Sequence, residues 1–297
     1  MPESAVPGGL SVAIITKNEA HRIAACLQSV AFADQIVVLD SGSTDDTVAI
    51  ARNLGAEVEV TPDWPGFGPQ KNRALARCTQ RWVLSIDADE QLSEALAHEI
   101  VQVLRAQDAI SSAHGPASAE RGGKDSARPG TAEVPGSSPV VAGYWLRRSS
   151  SFCGQAIRHG LWGNDRVLRL FERRKGRFSD DRVHERLICD GPTRVLDGML
   201  LHDSVDSLED ALGKSRQYAW LGAEKVRARK GGGLLSACLH GGWSFVRGYL
   251  LRAGFLDGRN GLRLAWLHAK STYWKYRWAG LSDTAWQAQA QLVSSRR

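Results

Sequence analysis

The chain has 297 residues, 43% hydrophobic and 24% charged, so it can bury a large core without disulfide or metal staples. Its net charge of +6 is unevenly placed: between Lys214 and Arg297 fifteen Lys and Arg meet only Glu224, Asp257 and Asp283, leaving an acidic body with a basic C-terminal stretch suited to an anionic partner. Five widely spaced cysteines with no CxxC pair argue against a disulfide scaffold or zinc site and for a reduced, cytosolic setting. MPESAVPGGL lacks a secretory pattern, and no apolar run is long enough to span a bilayer.

Residues 11–106 alternate between strand and helix signals. SVAII (11–15), QIVVLD (35–40), VEVT (58–61) and WVLSID (82–87) are short apolar, β-branched runs that read as buried strands. Helices are predicted over 20–30, from an N-cap at Ser43 or Thr44 to a stop at Gly55, over 70–78 behind the Pro- and Gly-rich loop PDWPGFGP, and over 93–106. Alternation of this kind predicts an α/β fold with a doubly wound, largely parallel sheet. Residues 107–139, rich in Ala, Ser, Gly and Pro, read as a disordered insertion. GYWLRR, RVLRLFER, VHERLI and MLLHD (143–203) return to strand signals with few helices between, predicting antiparallel or mixed pairing. From about 207 the chain reads as helical.

In open α/β sheets ligands bind beyond the carboxyl ends of the strands. Three polar segments stand there: Thr16-Lys17-Asn18-Glu19, Asp40-Ser41-Gly42-Ser43 and Asp87-Ala88-Asp89. Two carboxylates one residue apart can share a divalent cation or its water shell; alone they read better as a solvated turn, and with the other two strand ends as a cation site. Asp40 can accept a hydrogen bond from a base or ribose, Gly42 allows close backbone approach, and Lys71 and Asn72 open a helix behind a Gly-rich loop where a phosphate would be welcome.

The series ITKNE, VVLDSGSTDDT, PGFGPQKN and SIDADE resembles family 2 glycosyltransferases of the GT-A fold. FCGQAIRHGLWGNDRVLRLFER, RVHERL and LLHDS resemble the branch containing lipopolysaccharide inner-core glucosyltransferases. The resemblance implies a mixed, mostly parallel GT-A sheet in a 1–206 domain and a 207–297 membrane-interface extension. It implies that Asp40 and Asp87 hold uracil and ribose, that Thr16, Lys17, Asn18, Glu19, Gly42, Ser43, Lys71, Asn72 and Ala88 help bind the nucleotide-sugar, and that Asp89 and His202 hold Mg2+ or Mn2+. Glu185, beside His184, stands where the family usually carries an aspartate base. The implied reaction is inverting transfer of a hexose, glucose from UDP-glucose, to a lipid-linked saccharide at the cytoplasmic face of the inner membrane.

Arg158, His159 and Trp162 form a polar-aromatic cluster suited to an acceptor sugar and its phosphate, or Trp162 packs in the core. Further on, Trp243, Phe245, Tyr249, Leu250, Phe255, Trp266, Tyr273, Trp274 and Trp278 interleave with Arg and Lys. They predict basic amphipathic helices lying on an anionic membrane. Two other classes compete. A nucleotidyltransferase would need a basic phosphate loop earlier in the chain, and a nucleic-acid-binding module would leave the acidic strand ends unexplained.

Overall fold

The computed structural model describes residues 8–113, 141–163, 165–180, 185–205 and 207–294. Two compact units emerge: residues 1–148 with 166–200, and residues 149–165 with 201–297. Residues 149–165 thus group with the C-terminal segment, an association the expected boundary at 206 did not anticipate.

In the first unit, β1 (Leu10–Thr16), α1 (Ile23–Ser29), β2 (Gln35–Asp40), α2 (Thr47–Asn53), β3 (Glu57–Val60), α3 (Phe67–Arg77) and β4 (Trp82–Asp87) follow the predicted alternation. Short β5 (Glu90–Leu92) leads into α4 (Glu94–Ala113). The sheet runs β3-β2-β1-β4 in parallel. It continues through β8 (Asp165–Glu172), antiparallel to β4, then β6 (Gly143–Phe152), β11 (Thr193–Val205) and β5, with β7 (Gln155–Ala156) on β6. β9 (Gly176–Phe178) and β10 (Leu187–Cys189) form a separate two-stranded ribbon.

β1 is buried along its whole length because successive side chains enter different cores. Leu10, Val12 and Ile14 join Ile23 and Leu27 of α1 and Leu96 and Ile100 of α4. Ala13 and Ile15 join Ala74 of α3, with Phe67 and Leu75 packed alongside. This helix-flanked mixed sheet is the GT-A-type arrangement that the motifs implied. In register, Thr16 lies opposite Asp40 and Ile15 opposite Asp87, so the carboxyl ends of β1, β2 and β4 finish level.

Three local expectations change. α2 begins at Thr47, not at a Ser43 or Thr44 cap, because the Ser43 hydroxyl serves the preceding loop. α4 continues over 107–113, which had been assigned to the insertion, while 114–139 lies outside the described residues. Among the described residues of VHERLI, Leu187 and Ile188 pair in a strand, and Val183 and His184 lie outside the described residues.

The second unit contains α5 (Leu208–Ala228), α6 (Leu234–Phe245), which passes into a π-helical segment (Val246–Leu251), a 3-10 turn (Gly254–Asp257), α7 (Gly258–Ala279) and α8 (Asp283–Ser294). Its aromatic residues do not all turn outward as amphipathic helices on a membrane would require. Trp278 is buried, Trp274 stacks parallel to it with ring centroids 5.8 Å apart, and Trp220 stacks on Trp286 at 4.1 Å. These rings knit α5, α7 and α8 together.

Candidate active site

The loops after β1 and β2 are tied to each other by side chains bonding to main chain. Asp40 is wholly buried. Its Oδ1 accepts from Gly42 N at 2.9 Å and Ser43 N at 2.8 Å, and its Oδ2 accepts from the Ser43 hydroxyl. The same Ser43 Oγ accepts from Asn18 N at 2.8 Å, while Asn18 Oδ1 accepts from Thr44 N at 2.8 Å. Glu19 N donates to Thr47 Oγ1 at 2.8 Å. Gly42 has φ +82° and Asn18 φ +56°, left-handed conformations that glycine tolerates freely and asparagine better than most residues. Asp40 therefore shapes the loop that carries Gly42 and Ser43. Beside it, Thr16 Oγ1 is buried without a hydrogen-bond partner among the described residues, and Lys17 is exposed.

At the end of β4 the first unit gathers its charges. Lys71, only 4% exposed, places Nζ 2.9 Å from Asp87 Oδ1 and 2.9 Å from Glu185 Oε1, over the Phe178 ring. Arg169 of β8 holds Asp87 Oδ2 at 2.7 Å and Glu90 Oε1 at 2.9 Å. Glu90, fully buried, also meets Arg148 at 3.2 Å, and its Oε2 accepts from Asp87 N at 3.0 Å. Burial alone would push the Asp87 carboxyl up, but the charges of Lys71 and Arg169, with their hydrogen bonds, hold it well below the usual carboxylate range. Glu90 and Asp87 likewise outweigh burial at Arg169, keeping it charged. The Cys26 thiol, whose Sγ lies 3.6 Å from Asp87 O, is pushed well up by burial and then by Glu90, Asp89 and Asp87. Asp87 and Glu90 thus meet on the Arg169 guanidinium.

Of the residues singled out in the sequence, the structure brings Lys71, Asp87 and Glu185 together, and it adds Arg169, Glu90 and Arg148, which the sequence reading did not single out. An arginine inside the apolar run VLRLF was the available signal, because a buried cation in a strand needs a buried anion. Asn72 is used differently from expectation. Its Nδ2 donates to Phe178 O and its Oδ1 accepts from Phe178 N, both at 2.9 Å, so it clamps α3 to β9. Ala88 is buried between the two aspartates.

The other expected residues belong to the second unit. His202 Nδ1 lies 3.0 Å from Ser150 Oγ. His159 Nδ1 lies 3.0 Å from Asp257 Oδ1, and Asp257 also accepts from the backbone N–H groups of Arg158 and His159. Trp162 meets Phe152 and His268 edge-on, at 6.0 and 6.1 Å, so part of its ring is taken up in packing while the residue stays half-buried.

A divalent cation such as Mg2+ or Mn2+ takes oxygen ligands. Among the described residues no three His, Cys, Asp or Glu side chains form a ready cage. Mg2+ and Mn2+ need none where a substrate supplies phosphate oxygens, since one or two carboxylates then suffice. Asp89, half-buried beside the Asp87 network, fits that requirement.

Level strand ends, an interlocked pair of loops and a paired-carboxylate turn define an α/β protein of the open-sheet class, in which ligands bind over the carboxyl edge of the strands. The chain belongs to glycosyl transferase family 2, whose family model matches residues 11–175. An uncharacterized glycosyltransferase of Rickettsia felis is 54% identical over 31% of this chain and 32% of its own length, so the match spans about a third of that relative. The lipopolysaccharide core biosynthesis glycosyltransferase LpsC of Rhizobium meliloti is 28% identical over 73% of this chain and 71% of its own. Among solved structures, glucosyl-3-phosphoglycerate synthase of Mycobacterium tuberculosis, in complex with Mn2+, UDP and glucosyl-3-phosphoglycerate, is 34% identical over 28% of this chain and 34% of that one. Its TM-score of 0.26 is too low to bear on the fold.

Proposed function

We propose that this chain transfers a hexose, with glucose from UDP-glucose the first candidate, onto a lipid-linked saccharide of the lipopolysaccharide core type, with inversion at the anomeric carbon. The observation that carries the reading is Lys71 shared between Asp87 and Glu185, with Asp89 adjacent, at the level ends of parallel strands. Membership in the family and the likeness to LpsC support it.

Asp87 would receive the ribose, and the Gly42–Ser43 loop, held open by Asp40, would receive the base. Lys71 presents a desolvated ammonium to the diphosphate, with Lys17 at the exposed rim. Asp89 would hold Mg2+ or Mn2+, which when bound supplies Lewis-acid stabilisation of the departing nucleoside diphosphate. Glu185 would take the proton of the acceptor hydroxyl as its oxygen attacks the anomeric carbon from the face opposite the leaving group, a task typically worth about 10²–10⁴-fold. Arg158, His159 and Trp162 remain the proposed acceptor contacts, and His202 a proposed further ligand of the cation.

A screen of nucleotide-sugars with Mg2+, Mn2+ or chelator, following both donor hydrolysis and transfer to lipopolysaccharide-core acceptors, tests this reading. Cation-dependent turnover of one UDP-sugar is expected. Stabilisation by nucleoside triphosphates alone, with no nucleotide-sugar turned over, would overturn it in favour of nucleotidyl transfer.

A further inference from the structure

α6 and the π-helical segment after it have two apolar faces where a helix at a protein surface normally has one. The inner face is built of small residues. Ala237, Gly241 and Gly248 are buried, and a Cβ on Gly241 would come within 3.2 Å of Ala269 O and of Tyr273 Cβ, so α6 lies close against α7. The outer face carries Leu235, Leu239, Trp243, Val246 and Leu250 at spacings of three and four, which places them along one side of the helix. They are not marginally uncovered: Leu235 is 73% exposed, Leu239 64% and Trp243 57%. Leu251, Phe255, Leu256 and Trp266 extend the uncovered apolar surface through the 3-10 turn into α7, where Phe245 and Trp266 line a groove of about 360 Å³. Solvent-facing apolar surface in a contiguous stretch marks a site of association.

Charge decides between possible occupants. From Leu234 to Lys270 the chain has a single carboxylate, Asp257, and it is turned inward, 6% exposed, onto the Arg158–His159 backbone. Arg247, Arg252, Arg259 and Arg263 are all exposed. A second copy docked on the same face would set these arginines against their own counterparts, a juxtaposition that costs several kcal/mol at protein interfaces. A lipid surface has no such conflict: the acyl boundary takes leucine and tryptophan side chains while anionic headgroups take the guanidinium groups. Among the described residues no helix is long and apolar enough to cross a membrane, so contact at the interface is the available mode.

We propose that this face docks on an anionic phospholipid surface, with Leu235, Leu239, Trp243 and Leu250 entering the acyl boundary and Arg247, Arg252, Arg259 and Arg263 at the phosphates. Its purpose rests on the reading of the acceptor as lipid-linked; the binding itself does not. It also revises which residues make the contact. Leucines 235 and 239, absent from the aromatic pattern that first suggested a membrane, are the most exposed of the set, whereas Trp274 and Trp278 serve the interior.

The test is cosedimentation of the full chain with vesicles of phosphatidylcholine, with and without phosphatidylglycerol, over a salt series. Binding to the anionic vesicles that weakens with salt is expected. The triple variant Leu235→Ser, Leu239→Ser, Trp243→Ser should bind at least about tenfold more weakly. The variant Arg247→Gln, Arg252→Gln, Arg259→Gln should lose about a hundredfold and most of the salt dependence. Circular dichroism and UDP-sugar hydrolysis should be unchanged in both. Wild-type protein left in the supernatant, or a serine variant that binds as tightly, overturns the proposal. So does light scattering that shows a dimer dissociated by the serine substitutions, or binding displaced by an oligonucleotide but not by salt-matched anionic vesicles. Transfer to a soluble, delipidated acceptor is measured alongside. Protein that transfers but does not bind vesicles defeats only this surface, and protein that binds but never transfers defeats only the transferase reading.

Discussion

At the carboxyl edge of the sheet, Lys71, Arg169 and Glu90 are withdrawn from water, Asp87 is partly so, and each meets an opposite charge within 3 Å. On the outer side of α6, Leu235, Leu239 and Trp243 remain in water although the chain has interior enough to bury others of their kind. Neither arrangement is what stability alone favours. Burying ions requires near-complete pairing, and exposing leucine forgoes about 25 cal/mol for each Å² of apolar surface left in water. The first arrangement suits the proposed polar ligand, gripped in fixed geometry. The second suits the proposed lipid surface.

That contrast can be broken at several points. The largest effect is expected at Glu185: Glu185→Gln should lower kcat for sugar transfer by about 10²–10⁴-fold while donor hydrolysis by water falls less, as product analysis with labelled UDP-sugar will show. Asp89→Asn should lower turnover by about 10²–10³-fold and raise the Mn2+ or Mg2+ concentration needed for half-maximal rate, with the fold intact by circular dichroism. His202→Ala raising the same requirement would bring that residue to the cation, and an unchanged requirement would remove it.

Arg169→Met leaves Glu90 to Arg148 and Asp87 to Lys71 alone, and should destabilise the first unit by up to about 3–5 kcal/mol in denaturant titration. Adding Glu90→Gln should recover part of that loss, whereas independent effects would simply accumulate.

A smaller effect separates the second unit by pH. His268 Nε2 is sealed from water with no partner among the described residues, and burial pushes the imidazole down from 6.5 to about 4. A depressed histidine leaves the folded state at full stability above pH 6.5 and withdraws it as pH falls toward 4. Up to about 3 kcal/mol should be lost over that window, and His268→Leu should flatten the curve of stability against pH there.

The strands and the paired aspartates were legible because buried parallel strands write themselves as unbroken β-branched runs, and the register of those runs leaves their last residues level. Arg169 was not, since its meaning depends on Glu90, a residue from a different segment that itself reads as part of a solvated turn. Ser43 or Thr44 reads as a helix cap because serine or threonine before a helix commonly serves as one. Here the side chain of Asp40 reaches Ser43 first. Periodicity also showed which aromatic residues share a face without showing which face turns inward, so Trp278 was grouped with Trp243 although one is buried and the other exposed.

Asn72, next in sequence to Lys71, grips the main chain of Phe178 from both ends of its amide. The turn of α3 that presents the Lys71 ammonium is therefore immobilised when the chain folds, and the carboxylates on either side keep its long side chain from wandering. The roughly 2 kcal/mol of rotamer freedom in a lysine is then surrendered in folding and not at each encounter with donor. Calorimetry of UDP binding should accordingly find little ordering entropy, and Asn72→Ala should add an entropic penalty to association while leaving its heat nearly unaltered.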